Sequence, residues 1–159
     1  MDYKIESIKN YIETEEFLSL ADQIYNLTKH LNNSYPNYKD WFYNKQLKES
    51  LSPNRNILFV RNKNNHVVGV ASLKNTKEEK KLCTLYIKKE YRNQKITTEL
   101  IKESFEYLET TRPLITFSEN KLSMFENIIN KYNWELIQIE ENIYTKDNRE
   151  YCYNGRLSK

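Results

Sequence analysis

The segment from Leu82 to Phe117 constrains the fold more than any other part of the chain. Leu82-Cys83-Thr84-Leu85-Tyr86-Ile87 is an apolar run of strand length. Ile96, Leu100, Ile101, Phe105 and Leu108 then recur at helical spacing, with Lys102, Glu103, Glu106 and Glu109 off that face. Thr111-Arg112-Pro113 closes the helix, and Leu114 to Phe117 reads as a buried strand. A strand, a helix and a strand in that order imply a parallel pair joined by a right-handed crossover. The chain must therefore build a sheet with at least one parallel contact.

The flanking segments add antiparallel strands and helices. A short strand is expected near Tyr3 to Ile8. An amphipathic stripe begins around Thr14 and carries Phe17, Leu20, Ala21, Ile24, Leu27 and Leu31. Asn32 to Pro36 breaks that helix, because proline pushes the preceding Tyr35 out of helical geometry. A second helix is expected to carry Trp41, Phe42, Leu47 and Leu51. Ile57 to Arg61 and His66 to Leu73, joined by Asn62-Lys63-Asn64-Asn65, predict a hairpin. Leu122, Phe125, Ile128, Ile129 and Tyr132 mark another helix, and strands follow at Leu136 to Ile139 and Glu150 to Tyr153. At 159 residues one domain, spanning 1–159, is expected.

Composition excludes several classes. Apolar residues make up 38% and are gathered into compact runs, unlike a disordered chain. The net charge of +3 falls short of the clustered excess expected of a protein that grips long nucleic acid. No apolar stretch approaches membrane-helix length, and Met1-Asp2-Tyr3-Lys4 lacks the layout of a secretion signal. The expected location is the cytoplasm. Cys83 and Cys152 are too isolated for a metal or redox motif and read as small packing residues, so no metal is expected. With only 2 glycines, positions that need a left-handed backbone must fall to asparagine.

The loop between strand and crossover helix is where chemistry is expected. Free backbone N–H groups and the positive helix end converge there, which suits a phosphate, and Lys88, Lys89, Arg92 and Lys95 add charge. The same residues also fit a solvated basic turn.

The residues from Leu85 to Thr97 resemble the central signature of the GNAT N-acetyltransferase family. There an aliphatic-x-aliphatic strand end precedes a Tyr-Arg pair and an Arg/Gln-x-x-Gly-x-Gly/Ala loop; here Tyr91-Arg92 leads into Asn93-Gln94-Lys95-Ile96-Thr97. Val67 to Ala71 resembles the preceding family strand, and Asn130 to Trp134 sits where the family has a helix-ending Gly-Phe. Tyr35-Pro36 with Trp41, Cys83-Thr84, Arg112 to Thr116, Met124-Phe125 and Tyr153-Asn154-Gly155 resemble a subgroup of bacterial GNAT-like proteins, so that the likeness spans roughly residues 17–156.

The resemblance implies an α/β (α+β) GNAT-like acyl-CoA N-acyltransferase fold: a mixed, mostly antiparallel sheet of about six or seven strands with helices on both faces. It implies acetyl-CoA as donor and a primary amine as acceptor, with no membrane partner and with homodimerisation open. Leu85 and Ile87, flanking Tyr86, would pair with the pantetheine arm through their backbone. Asn93, Gln94, Lys95, Ile96 and Thr97 would receive the pyrophosphate, with side-chain contacts from Arg92, Gln94 and Lys95. The coenzyme would lie where the strands at 82–87 and 114–117 splay apart.

The sequence departs from the family at three places. Lys95 and Thr97 replace the loop glycines; Lys95 can point outward and Thr97 can cap the helix. Lys81 and Cys83 occupy the usual catalytic carboxylate positions, and Ile129 replaces the family's tyrosine acid. Glu119 and Tyr132 are the substitute catalytic candidates, Glu79 is a second carboxylate within reach through water, and His30, Tyr35 and Trp41 are expected to line the acceptor entrance. The same aromatics also fit a role in packing the first helices onto the sheet. Two other readings remain: a GNAT-like module that binds coenzyme or a partner without efficient transfer, and a protein that contacts nucleic acid through its basic turn and tyrosines.

Overall fold

The computed structural model describes residues 2–92, 95–141 and 149–156. Four strands form one antiparallel sheet in the order β1 (Tyr3–Ser7), β2 (Arg55–Asn62), β3 (Val67–Asn75) and β4 (Lys80–Ile87). Three more form a second sheet, β5 (Ile115–Ser118), β7 (Arg149–Tyr153) and β6 (Leu136–Glu141), with β7 central. The sheets meet at one parallel contact between β4 and β5. Leu82 N donates to Leu114 O at 2.9 Å, and Leu114 N donates to Lys80 O at 2.8 Å. The parallel pair is present but two bonds long.

Helices cover both faces. α1 (Phe17–Thr28) packs Leu20, Ala21 and Ile24 with Phe42, Ile57, Phe59 and Val70 on one face. α3 (Ile96–Leu108) packs Ile96, Leu100, Ile101, Phe105 and Leu108 with Leu58, Val60, Leu73 and Leu82 on the other, as its apolar stripe requires. α4 (Leu122–Tyr132) adds Phe125 to that second core, where the ring stacks on Phe117 at 4.5 Å.

Two helix expectations change. α1 stops at Thr28, whose hydroxyl bonds back to Ile24 O at 3.2 Å, and the chain tightens into a 3₁₀ turn over Lys29–Asn33. The second helix is a short α-helical turn, α2 (Tyr38–Trp41), widening into a π-helical segment over Phe42–Leu47. There Phe42, Gln46 and Leu47 are all buried, and the Gln46 amide donates to Asn56 O at 2.8 Å and Leu73 O at 3.2 Å.

Asparagine takes left-handed positions as its abundance requires. Asn65 (φ 63°) closes the β2–β3 hairpin, Asn133 (φ 52°) ends α4, and Asn154 (φ 66°) follows β7. Asn133 stands at the expected helix end, and Trp134 behind it is buried, its indole donating to Thr111 O at 2.9 Å. The fourth such residue is Glu109 (φ 60°), which ends α3. A left-handed non-glycine residue costs about 1–2 kcal/mol. Glu109→Gly is accordingly expected to raise stability by about 0.5–1 kcal/mol, read as a higher urea midpoint. An unchanged or lower midpoint would show that the Glu109 side chain compensates for the strain.

Candidate acetyl-transfer site

Beyond Leu82 and Leu114 the strands β4 and β5 part, and a cavity of about 780 Å³ opens in the gap. It is walled by Leu82–Tyr86 of β4 and Ile115–Phe117 of β5, and it extends under Tyr35 of the α1–α2 connection and Tyr38 and Trp41 of α2. A bulge in β4 sits at this point. Ser72 pairs with Thr84 and Leu73 with Leu82, so Cys83 has no partner on β3. Cys83 and Cys152 are not joined in a disulfide.

The exposed edge of β4 follows from the ladder. Lys88 N donates to Val68 O at 2.9 Å, and an antiparallel ladder alternates bonded and non-bonded pairs. Tyr86 and Thr84 therefore bond toward β3, while the backbone groups of Leu85 and Ile87 face the gap. Arg92 Nε donates to Ile87 O at 2.7 Å, and its guanidinium lies 5.3 Å from the Tyr86 ring centre. Arg92 thus ties the strand end to the loop before α3.

Of the other loop residues, Asn93 and Gln94 lie outside the described residues. Lys95 is exposed at the N-cap of α3 and points no capping atom at the helix. Ile96 is fully buried in the core beneath α3, so that only its backbone can serve a ligand. Thr97 does not cap the helix. Its hydroxyl donates to Arg92 O at 3.3 Å, and the N-cap position belongs to Lys95, which itself has helical dihedrals.

Expected catalytic residues lie elsewhere. Glu119 accepts from the Arg149 guanidinium at 2.7 Å and 2.9 Å on the surface, outside the cavity wall. Tyr132 packs edge-on against Phe105 at 4.9 Å, where the helical face of α4 meets α3, also away from the cavity. Glu79 does line the cavity and pairs with Lys74 at 2.9 Å.

The three residues expected on the acceptor side do come together. His30, Tyr35 and Trp41 all line the cavity, and the His30 ring stands 4.6 Å from Tyr86. Partial burial, then the Lys121 and Arg92 charges, hold the His30 imidazole below its usual pKa. Trp41 lies 5.9 Å from the Arg55 guanidinium, which is itself buried and bound to Gln46 at 2.7 Å and Glu49 at 3.2 Å.

Glu150 is a buried carboxylate that sequence reasoning did not single out. It stands on β7 opposite Ser118, fully buried, and Tyr35 donates its hydroxyl to both carboxylate oxygens at 3.0 Å and 3.1 Å. Ser118 Oγ adds a contact at 3.3 Å. Burial pushes the carboxyl above its ordinary pKa, against the pull of Tyr35, Ser118, Lys121 and Lys81. Lys121 in turn is held below the usual lysine value by burial. A wall with a buried carboxylate coupled to a tyrosine hydroxyl can exchange protons with whatever occupies the cavity.

Among the described residues no cluster of three His, Cys, Asp or Glu side chains could hold a metal, and no helix is long and apolar enough to cross a membrane.

Known proteins place this architecture. The sequence matches the model of the acetyltransferase (GNAT) domain over residues 26–136. The fold matches an acetyltransferase of the GNAT family from Staphylococcus aureus at TM-score 0.64 and 15% identity, covering 96% of this chain and 99% of that one. It matches a GNAT family acetyltransferase from Elizabethkingia anophelis with acetyl-CoA bound at TM-score 0.62 and 12% identity, covering 96% of each. A GNAT acetyltransferase from Bacillus cereus aligns at TM-score 0.63 and 14% identity, over 95% and 94% of the two chains. No curated protein sequence matches the chain significantly. The sequence match spans most of the chain, and the fold agrees with it: the protein is an N-acetyltransferase of the GNAT family.

Proposed function

We infer that the protein transfers the acetyl group of acetyl-CoA to a primary amine, with the donor held in the gap between β4 and β5. The observation that carries this reading is the β4 edge that β5 leaves uncovered beyond Leu82. The backbone groups of Leu85 face a cavity deep enough for an extended, amide-bearing arm, and such an arm can pair with them as an added strand, while the Ile87 carbonyl next along the edge is held by Arg92. The free N–H groups at the start of α3 and the Arg92 guanidinium suit its pyrophosphate. The acetyl-CoA-bound relative from Elizabethkingia anophelis supports the choice of donor.

On this reading the acceptor enters beneath Tyr35, Tyr38 and Trp41. Its ammonium gives one proton to the Tyr35 hydroxyl as that hydroxyl passes its own to Glu150. The freed amine attacks the thioester carbonyl carbon; the C–N bond forms and the C–S bond breaks. The second proton leaves the nitrogen as the amide forms and ends on the coenzyme sulfur. Positioning of the two substrates supplies much of the rate.

Calorimetric titration with acetyl-CoA, CoA and ATP tests the donor assignment. Micromolar binding of acetyl-CoA and CoA but not ATP is expected; no binding of either coenzyme form would sink it. Tight binding with no CoA release across a broad amine screen would favour a coenzyme-binding module without transfer, for which Lys95 and Thr97 in the glycine positions are the motive. Arg92→Ala should weaken acetyl-CoA binding by about 1.5–3 kcal/mol, the worth of a charge-assisted hydrogen bond. An unchanged affinity would remove Arg92 from the site.

A further inference from the structure

The cavity as a whole carries an excess of positive charge. Arg55, Lys74, Lys81, Arg92 and Lys121 line it, against the single lining carboxylate Glu79 and the buried Glu150 behind Tyr35. Three of the five cations are committed. Arg55 binds Glu49 and Gln46, Lys74 binds Glu79, and Arg92 binds Ile87 O beside the coenzyme loop. Lys81 and Lys121 form no ion pair among the described residues. Both feel the Glu150 charge, but one buried carboxylate cannot balance two ammonium groups.

Lys81 stands at the closed end of the gap, where β4 still touches Leu114. Its neighbour Leu82 belongs to the core beneath α3, so strand alternation sends the Lys81 side chain to the opposite face, that of α1 and α2. That end lies beyond the bulge at Cys83, away from Arg92 and the start of α3. A polyamine or other multiply cationic acceptor brought there would meet like charge in a partly desolvated site.

We propose that the acceptor is a small amine that carries its own oxyanion, a carboxylate or a phosphate, paired with Lys81 and Lys121. The proposal rests on the acetyl-transfer reading above and concerns only which amines the site admits. The aromatic wall of Tyr35, Tyr38 and Trp41 then covers the body of the acceptor while its amine points to Tyr35.

Matched amines that differ only by the anionic group test this, with CoA release followed at fixed acetyl-CoA. β-Alanine is set against propylamine, tryptophan against tryptamine, arginine against agmatine and phosphoethanolamine against ethanolamine. The acid-bearing member of at least one pair should show kcat/KM higher by about tenfold or more, and the pairs separate carboxylate from phosphate. Lys81→Met should bring that ratio toward unity while acetyl-CoA affinity by calorimetry stays within about twofold; Lys81→Arg should keep the ratio. Equal rates, a preference for the amines without the acid, or no turnover of any acid-bearing amine by protein that binds acetyl-CoA would each overturn the proposal. Failure to bind acetyl-CoA would instead overturn the functional reading beneath it.

Discussion

Glu150→Gln should lower kcat by about two to three orders of magnitude while leaving acetyl-CoA affinity unchanged, the loss typical of a removed proton acceptor. Glutamine keeps the shape and the contacts to Tyr35 and Ser118 but cannot take a proton. Tyr35→Phe should fall in the same range, and the double variant should be little worse than either single one, because the two act as one relay. Stability should move the other way. The Glu150 carboxyl has its pKa raised in the folded state, so its contribution is favourable below the unfolded-state pKa and is lost as pH rises through the folded one. On the alkaline side, where that contribution is lost, Glu150→Gln should melt at a higher temperature than the parent, with the difference shrinking in acid. Turnover of the parent should likewise fall on the acid side as Glu150 protonates. A variant with full kcat would show that the proton leaves by another route, with the neutral His30 imidazole the next group to test.

Phe42→Ala should cost about 3–5 kcal/mol of folding stability, a large part of what a domain of this kind commonly has. The ring is fully buried at the start of the π-helical segment and meets Tyr25, Tyr38 and Tyr43 at centroid distances of 5.9, 6.2 and 5.1 Å. Removing it leaves a void between α1, α2 and the first sheet that stiff aromatic neighbours fill poorly. Tyr38, whose phenol is pushed up to about 12 chiefly by burial and bonds Thr28 at 2.8 Å, would lose its backing. The expected reading is a much lower urea midpoint. At low temperature, acetyl-CoA binding should survive better than acceptor turnover, since the coenzyme side rests on α3 and β4. A loss of less than about 1 kcal/mol would mean that this wall repacks.

Much of the fold was legible because local pattern and tertiary demand agree. The stripes over Ile96–Leu108 and Leu122–Tyr132 are the faces that the second core buries, and those helices occur where the spacing puts them. The hairpin around Asn62 to His66 and the asparagines in left-handed positions were equally open to reading, since steric rules act within a few residues. The segment from α2 onward was harder. Its π-helical segment depends on where Gln46 finds carbonyl partners, and Asn56 and Leu73 come from other strands.

The same distinction separates the parts of the site. The strand from Leu82 and the helix to Leu108, the family they resemble, and the grouping of His30, Tyr35 and Trp41 on one cavity wall were readable from residue type and order. Glu119 and Tyr132 were sensible candidates by position along the chain, yet Arg149 and Phe105 claim them. Glu150 left one faint trace, a charge in the register of β7 that also carries the buried Cys152. Its burial, its hold on a tyrosine 115 positions earlier, and the excess of positive charge around Lys81 all depend on which distant segments share one cavity. The sequence by itself determined the elements, their order and the donor motif, because those follow from periodicity and local sterics. Only the tertiary structure decided which side chains meet in the gap between β4 and β5, because desolvation and charge pairing are properties of assembled neighbours.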